Sequence, residues 1–207
     1  MSAGGLVGNN AGGLIQNSSA EVDIAYRGKK KDGQGDFAIL GGLAADNAGK
    51  IETSFSASTI SIGNGSGLAG GLVANSGGTI ENCYALGNES ISGPDSSVGG
   101  LLGVAGPSSV SATYAIGNVS AQSGYVGGFV GQDATSGGLS NDYWDTTTSG
   151  ITNLSQGAGN IANDPGITGE TTAQLQAGLP AGFDPSIWAE NPAINNGLPY
   201  LIANPPQ

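Results

Sequence analysis

The chain has 207 residues, 39 of them Gly, with one Cys, no His and a net charge of −11. So much Gly excludes a helical bundle, because Gly costs about 1 kcal/mol per helical site relative to Ala. Without His there is no Ser-His-Asp or Cys-His nucleophile and no His-ligated metal, and a single Cys leaves no intrachain disulfide or thiolate cluster.

The charge is unevenly placed. The first fifty residues hold five acids and five bases, whereas residues 51–207 hold eleven acids and neither Lys nor Arg. Nucleic acid and anionic membranes are therefore poor partners. No apolar run approaches the ~18 residues of a membrane span, so no membrane insertion is expected. Residues 1–10 lack the charged start and apolar stretch of a signal peptide. The sequence pattern is already running at Met1, so the chain reads as a fragment. Low charge density, little Lys and no disulfide pair fit a secreted or cell-surface protein.

Taken in chain order, five segments open on Gly-Gly-apolar: Gly4-Gly5-Leu6, Gly41-Gly42-Leu43, Gly70-Gly71-Leu72, Gly99-Gly100-Leu101 and Gly127-Gly128-Phe129. The first glycines lie 37, 29, 29 and 28 residues apart, a period of 28–29 with an insert near 27–36 in the first copy. A second signature, apolar-x-x-x-aromatic, comes after each: Ile51 to Phe55, Ile80 to Tyr84, Val110 to Tyr114 and Leu139 to Tyr143, with Ile15 and Ser19 as a degenerate first copy. Short alternating runs such as Thr59-Ile60-Ser61-Ile62 complete each repeat.

Each repeat therefore reads as three short strands with period-2 alternation, joined by Gly and Asn turns that supply positive φ. A unit this short cannot bury its apolar side alone, and stacking like units solves the problem. The predicted fold is all-β, a parallel β-helix or β-solenoid of about five coils over 1–151, roughly 24 Å long at the spacing of neighbouring strands. Residues 152–207, where the repeat ends and Pro accumulates, are predicted to form a mostly irregular cap on the last coil or else a linker. Thr171 and Gln174 make a capping box for a short helix there.

Strict alternation assigns the faces. With Ile80 and Tyr84 inward, Asn82 is inward too, as are Thr53, Ala112 and Asn141. Glu52, Ser54, Glu81, Cys83, Ala85, Thr113 and Asp142 are then outward. Phe55, Tyr84, Tyr114 and Tyr143 should stack as a core aromatic ladder. Trp144 falls outward, either as a glycan platform or beneath the cap. Cys83 has no cation near it in sequence to activate it.

The phrase Gly-Gly-Leu-Val-Gly-x-Asn-x-Gly-x-Ile-x-Asn-Ser/Cys-Tyr-Ala resembles the GLUG motif, which occurs in large secreted bacterial proteins of the filamentous-haemagglutinin type and in some cell-surface peptidases outside their catalytic domains. Gly70 to Ala85 matches best, and the other four copies match more loosely. The tail, with Tyr143-Trp144-Asp145, Gly169-Glu170-Thr171-Thr172-Ala173-Gln174-Leu175, Trp188 and Asn195 to Leu201, is similar to the way such arrays finish. The likeness covers about residues 4–201. It implies a β-solenoid stalk in a two-partner-secreted adhesin, and it carries over no catalytic residue. The insert and the missing N-terminal secretion domain depart from the pattern.

The function expected is thus a non-catalytic stalk or adhesive segment that contacts host cells, neighbouring cells or matrix glycans or proteins. No catalytic residue, cofactor or metal is assigned, and the isolated chain is expected to be monomeric. Arg27, Lys29, Lys30 and Lys31 form the one basic cluster, able to grip an anionic glycan or simply solvated; Trp144 is the other candidate ligand contact. Two alternatives remain open. A polysaccharide-active β-helix enzyme would use Asp133, Asp142 and Asp145, but carboxylate pairs need ~5–9.5 Å spacing and a cleft. An ice-binding solenoid would use a flat Thr array, of which Thr146-Thr147-Thr148 is one run.

Overall fold

A computed structural model describes residues 1–28 and 36–206. It is an all-β parallel solenoid of about five turns. Coil one contains strands Ser2–Gly4, Val7–Asn10, Leu14–Gln16, Ser19–Ala20 and Asp23–Arg27; coils two and three repeat this order, coil four merges the third and fourth strands into Ser109–Ala115, and coil five merges them into Leu139–Asp145 and has no described strand in the fifth position. Equivalent strands pair in parallel with those of the next coil, and the registers match the sequence repeat: Gly4, Gly41, Gly70, Gly99 and Gly127 stand on one line.

The Gly-Gly corner is a matter of close approach. A Cβ on Gly41 would lie 1.8 Å from the carbonyl oxygen of Ala44, and one on Gly71 would lie 2.2 Å from that of Gly100 in the next coil. The first Gly thus lets the chain turn sharply back on itself, and the second lets coils stack at strand spacing. Neither has positive φ, whereas Gly12 and Gly137, in the turns before the second signature, do.

Positive φ sits elsewhere. Asn17, Thr53, Asn82, Ala112 and Asn141, the third residue of the second signature in each coil, have φ of 45–54°. One left-handed residue breaks the two-residue alternation, as a bulge does, and re-aims the side chains after it. Ile51, Ile80, Val110 and Leu139 point into the coil, as expected. After the left-handed residue the faces are reversed. Ser54, Cys83, Thr113, Asp142 and Ala85 are buried, whereas Thr53 and Asn82 are half-buried and Asn141 is exposed. Phe55, Tyr84, Tyr114 and Tyr143 leave the coil and join a separate cluster that also holds Ala112. The face assignment after residues 53, 82, 112 and 141 is corrected accordingly: the aromatic ladder lies outside the solenoid core.

Two aliphatic stacks fill the interior. Leu43, Leu72, Leu101 and Phe129 stand in one, with Ile51, Ile80 and Val110 beside them. Leu40, Ile60, Ile62, Ile91 and Val98 make the other. A polar corner accompanies them: the Asn10 amide donates to Asn47 Oδ1 at 2.8 Å, and the Asn47 amide donates to Ser76 Oγ at 3.3 Å.

Beyond Asp145 the chain starts a further, partial coil. Ala158 bridges to Val130, and Ile167–Glu170 pairs in parallel with Leu139–Asp145. A helix comes next at Thr172–Leu175, closed at its start by the Thr171–Gln174 capping box. The remaining residues do not cover the end of the last coil. They run back along the side of the solenoid as a strap that reaches coil one, where the Asn204 amide donates to the Ser18 carbonyl at 3.1 Å.

Candidate functional site

The strap has a physical reason. Phe55 and Tyr84 stack at 4.7 Å between ring centroids, and Tyr84 and Tyr114 at 5.1 Å, both near-parallel. Such a ladder on the outer face of a sheet needs a cover. Leu175, Phe183, Trp188, Leu198 and Leu201 supply it, and all five are buried against the ladder. Tyr143 does not continue the parallel stack; its ring meets Phe183 edge-on at 5.7 Å. The cover is fastened by polar bonds at three coils. Trp188 Nε1 donates to Asn82 Oδ1 at 3.0 Å, Tyr114 Oη to the Pro199 carbonyl at 2.7 Å, and Tyr143 Oη to the Ala181 carbonyl at 2.9 Å. Tyr84 Oη is buried with no hydrogen-bond partner among the described residues, and burial pushes its hydroxyl well above the ordinary tyrosine range.

Trp144 is neither outward nor under the strap. It continues the line Ser56, Ala85, Ala115 into the solenoid interior and is 1% exposed. A Cβ on Gly128 would lie 2.0 Å from its indole, so the small residue there makes room for the ring. Trp144 closes the last full coil from within, as a plug between it and the partial coil, and it offers no platform to a glycan. The reversal of faces at Asn141 is what turns it inward.

Arg27 is exposed at the end of strand Asp23–Arg27. Lys29, Lys30 and Lys31 lie outside the described residues. Lys50, in coil two, bridges Glu52 of its own strand at 2.5 Å and Glu81 of the next coil at 3.1 Å on the outer face.

Cys83 is buried rather than outward. Its thiol points at the Glu81 carbonyl at 3.1 Å, and burial pushes it up to about 12. A thiol so held is not a nucleophile at neutral pH. It occupies the same rung as Ser54, which also meets local backbone, and Thr113, whose hydroxyl meets Asp142.

Two acids of the last coil, Asp142 and Asp145, are buried and held by nearby donors. Asp142 is fully buried, and its Oδ1 accepts from Thr113 N at 3.2 Å and Thr113 Oγ1 at 2.8 Å while Oδ2 accepts from Ser140 N at 3.0 Å. Burial raises its carboxyl to about 8 against these donors. Asp145 is buried too and holds the turn after it, accepting from Thr147 N at 2.7 Å and from Thr172 Oγ1 at 2.5 Å. Thr146, Thr147 and Thr148 belong to that turn and make no flat array. Asp133, at the polar corner, accepts from Thr135 N at 2.7 Å and borders a cleft of about 540 Å³ with Asp164.

One buried group has no signal in the periodicity. Glu89 stands on the rung between Ile60 and Val119, 1% exposed, and neither carboxyl oxygen has a hydrogen-bond partner among the described residues. Burial raises its carboxyl well above the ordinary range. Only its position in line with two apolar residues marks it in the sequence, and that line is visible once the register is known.

A second cleft, of about 650 Å³, opens between the strap and coils one to three, with Phe55 and Leu86 in its lining and Asn195, Asn196 and Glu21 among its polar groups. Among the described residues no group of three or more Asp, Glu, Cys or His is placed to hold a metal, and no helix is long and apolar enough to cross a membrane.

The class this geometry defines is a parallel β-solenoid with a strapped outer ladder. Its first coil, residues 1–25, matches the family model of the GLUG motif, so the chain contains a GLUG-type repeat segment. No curated protein and no solved structure matches it.

Proposed function

We propose that the chain is a non-catalytic segment of a secreted bacterial surface protein of the filamentous-haemagglutinin type, serving as a stalk or as an adhesive surface toward cells or matrix glycans. The observation that carries this is the use to which the repeated residues are put. Those that recur from coil to coil fill the interior, make the Gly-Gly corners or build the strapped ladder. The outward residues at equivalent rungs differ, as at Lys50, Thr79 and Ser109. A repeat whose Leu and Ile interior lines are kept while outward rungs such as these change suits a rigid spacer with a locally specialised surface. The GLUG match at 1–25 supports a bacterial surface protein. Of the acids that an enzyme of this shape would use, Asp142 and Asp145 are engaged with backbone amides and threonines, and only Asp133 borders a cleft, beside Asp164.

The test combines a glycan array with a reducing-sugar assay on pectin, alginate and chitin. The stalk reading expects no turnover on any of them. Turnover by the unaltered chain would overturn it in favour of the polysaccharide-active alternative. Saturable binding without turnover would assign the adhesive role, and substitutions at Glu21 and Asn196 would then show whether the larger cleft takes the ligand.

A further inference from the structure

Two Asp-Pro bonds lie in the second half of the chain, Asp164–Pro165 and Asp184–Pro185. Both are folded in the same way. Each carboxyl reaches across its own bond to proline: Asp164 Oδ1 accepts from Gly166 N at 3.0 Å, and Asp184 Oδ1 from Ser186 N at 2.8 Å. Each Asp carbonyl also accepts, from Ile167 N at 3.2 Å and from Ile187 N at 2.9 Å, which makes the carbonyl carbon more electrophilic. A carboxyl so held is close to one particular peptide bond. Proline makes that bond easier to break, because its nitrogen carries no N–H in the chain and is a basic secondary amine once freed.

The surroundings of the two differ. Asp184 is exposed, and hydrogen bonds from Ser186 hold its carboxyl below the ordinary range. Asp164 is 8% exposed and faces Asp133, itself 6% exposed, in the cleft of about 540 Å³ that Pro165 and Gly166 also line. Burial first, and then Asp133, raise the Asp164 carboxyl against the Gly166 donor. Two carboxyls this close cannot both ionise freely, so the pair keeps a proton that a lone exposed carboxyl gives up. Among the described residues Asp142, on strand Leu139–Asp145, is the other titratable group near Asp164. No Lys or Arg follows Lys50, so this half of the chain has no cation to hold the pair ionised. Pro165 is exposed, and water reaches the bond.

We propose that the chain cleaves itself between Asp164 and Pro165 in mildly acidic solution, with the Asp164 carboxyl as the intramolecular nucleophile and Asp133 as the positioning residue for its proton. One carboxyl oxygen of Asp164 bonds to the Asp164 carbonyl carbon, the bond from that carbon to Pro165 N breaks, and the carboxyl proton passes to Pro165 N. The products are a cyclic anhydride at Asp164 and a free amine at Pro165. One water then opens the anhydride and leaves Asp164 with two carboxyl groups. Nothing is oxidised or reduced, and the event happens once per chain. Afterwards Ile167–Glu170 and the strap still sit on the solenoid through contacts such as the Trp188–Asn82 bond, but without a covalent link to it.

The experiment holds the full chain at pH 5 and at pH 8, then denatures it and reads intact masses, because the two pieces stay together while folded. Fragments 1–164 and 165–207 are expected at pH 5, formed about tenfold or more faster than any cut at Asp184–Pro185 in the same sample, and more slowly at pH 8. In denaturing guanidinium at pH 5 the two bonds should be cut at like rates. Asp164→Asn keeps the acceptor for Gly166 N and should stop the cut. Asp133→Asn keeps the acceptor for Thr135 N and should move the onset of cleavage to lower pH, with circular dichroism showing both variants folded. A chain intact at pH 5, or equal rates at the two bonds in the folded chain, would overturn the proposal. So would an excess at Asp164–Pro165 that persists in guanidinium, a cut that survives Asp164→Asn, or a pH profile unmoved by Asp133→Asn.

Discussion

An interior apolar stack and the outer aromatic ladder of this solenoid are closed in different ways. The inner stack of Leu43, Leu72, Leu101 and Phe129 is sealed by the coil that each residue belongs to, so its neighbours in space are its own repeat and the next. The outer stack of Phe55, Tyr84 and Tyr114 is built by the same repeats at the same spacing but cannot seal itself. It depends on residues 175–201, far away in sequence; the Trp188–Asn82 bond spans 106 residues. Nearest-neighbour addition suffices for the interior of a repeat protein. A ladder on the outside needs a long-range element, and the strap is that element.

The comparison can be broken most directly at Trp188. Trp188→Ala removes the largest buried ring of the strap and the donor to Asn82, and it should cost about 3–5 kcal/mol in urea unfolding. Hydrogen exchange should show the loss confined to the strap and ladder. Leu72→Ala should cost a similar ~2–5 kcal/mol but lower protection throughout the neighbouring coils. If Trp188→Ala costs less than about 0.5 kcal/mol, in the range of plain surface changes, the strap does not hold the ladder.

Glu89 tests the interior. Its unpartnered carboxyl costs stability, so Glu89→Leu should gain about 1–3 kcal/mol, the desolvation penalty of an unsatisfied buried group. The pH dependence has a definite sign. A carboxyl whose folded pKa is raised binds its proton more tightly in the folded state. Stability is therefore highest below the unfolded value of 4.5 and falls as pH rises from there toward the folded pKa. Asp142 adds a like decline between 3.8 and about 8. Urea unfolding at pH 5 and pH 8 should find the chain weaker at pH 8, and Glu89→Gln should reduce the difference. An unchanged slope would place the charge change elsewhere.

Thr113 decides which face its rung takes. As a buried donor to Asp142 Oδ1, Thr113→Val should cost about 1–2 kcal/mol. As an outward residue, the position given by strict alternation, it would cost under about 0.5 kcal/mol. The smallest effect is at Thr53, a β-branched residue at φ 45° where Asn82 and Asn141 stand in other coils. Thr53→Asn should gain a few tenths to about 1 kcal/mol by easing the left-handed backbone, as read from the shift in melting temperature.

The sequence by itself determined the architecture: the number of coils, their 28–29-residue period, the inward Leu and Ile lines, the Gly-Gly corners and the helix start at Thr171. These arise from local chemistry repeated at fixed spacing, which needs no knowledge of distant contacts. Only the tertiary structure decided what lies on either side of the second signature. The left-handed residue that reverses the faces is Asn in three coils but Thr53 and Ala112 in the other two, so no residue type announces it. That one dihedral turns Cys83, Asp142 and Trp144 inward and the aromatic ladder outward. The strap depends on it in turn, because tail residues with no period of their own can be placed only by the surface that needs covering.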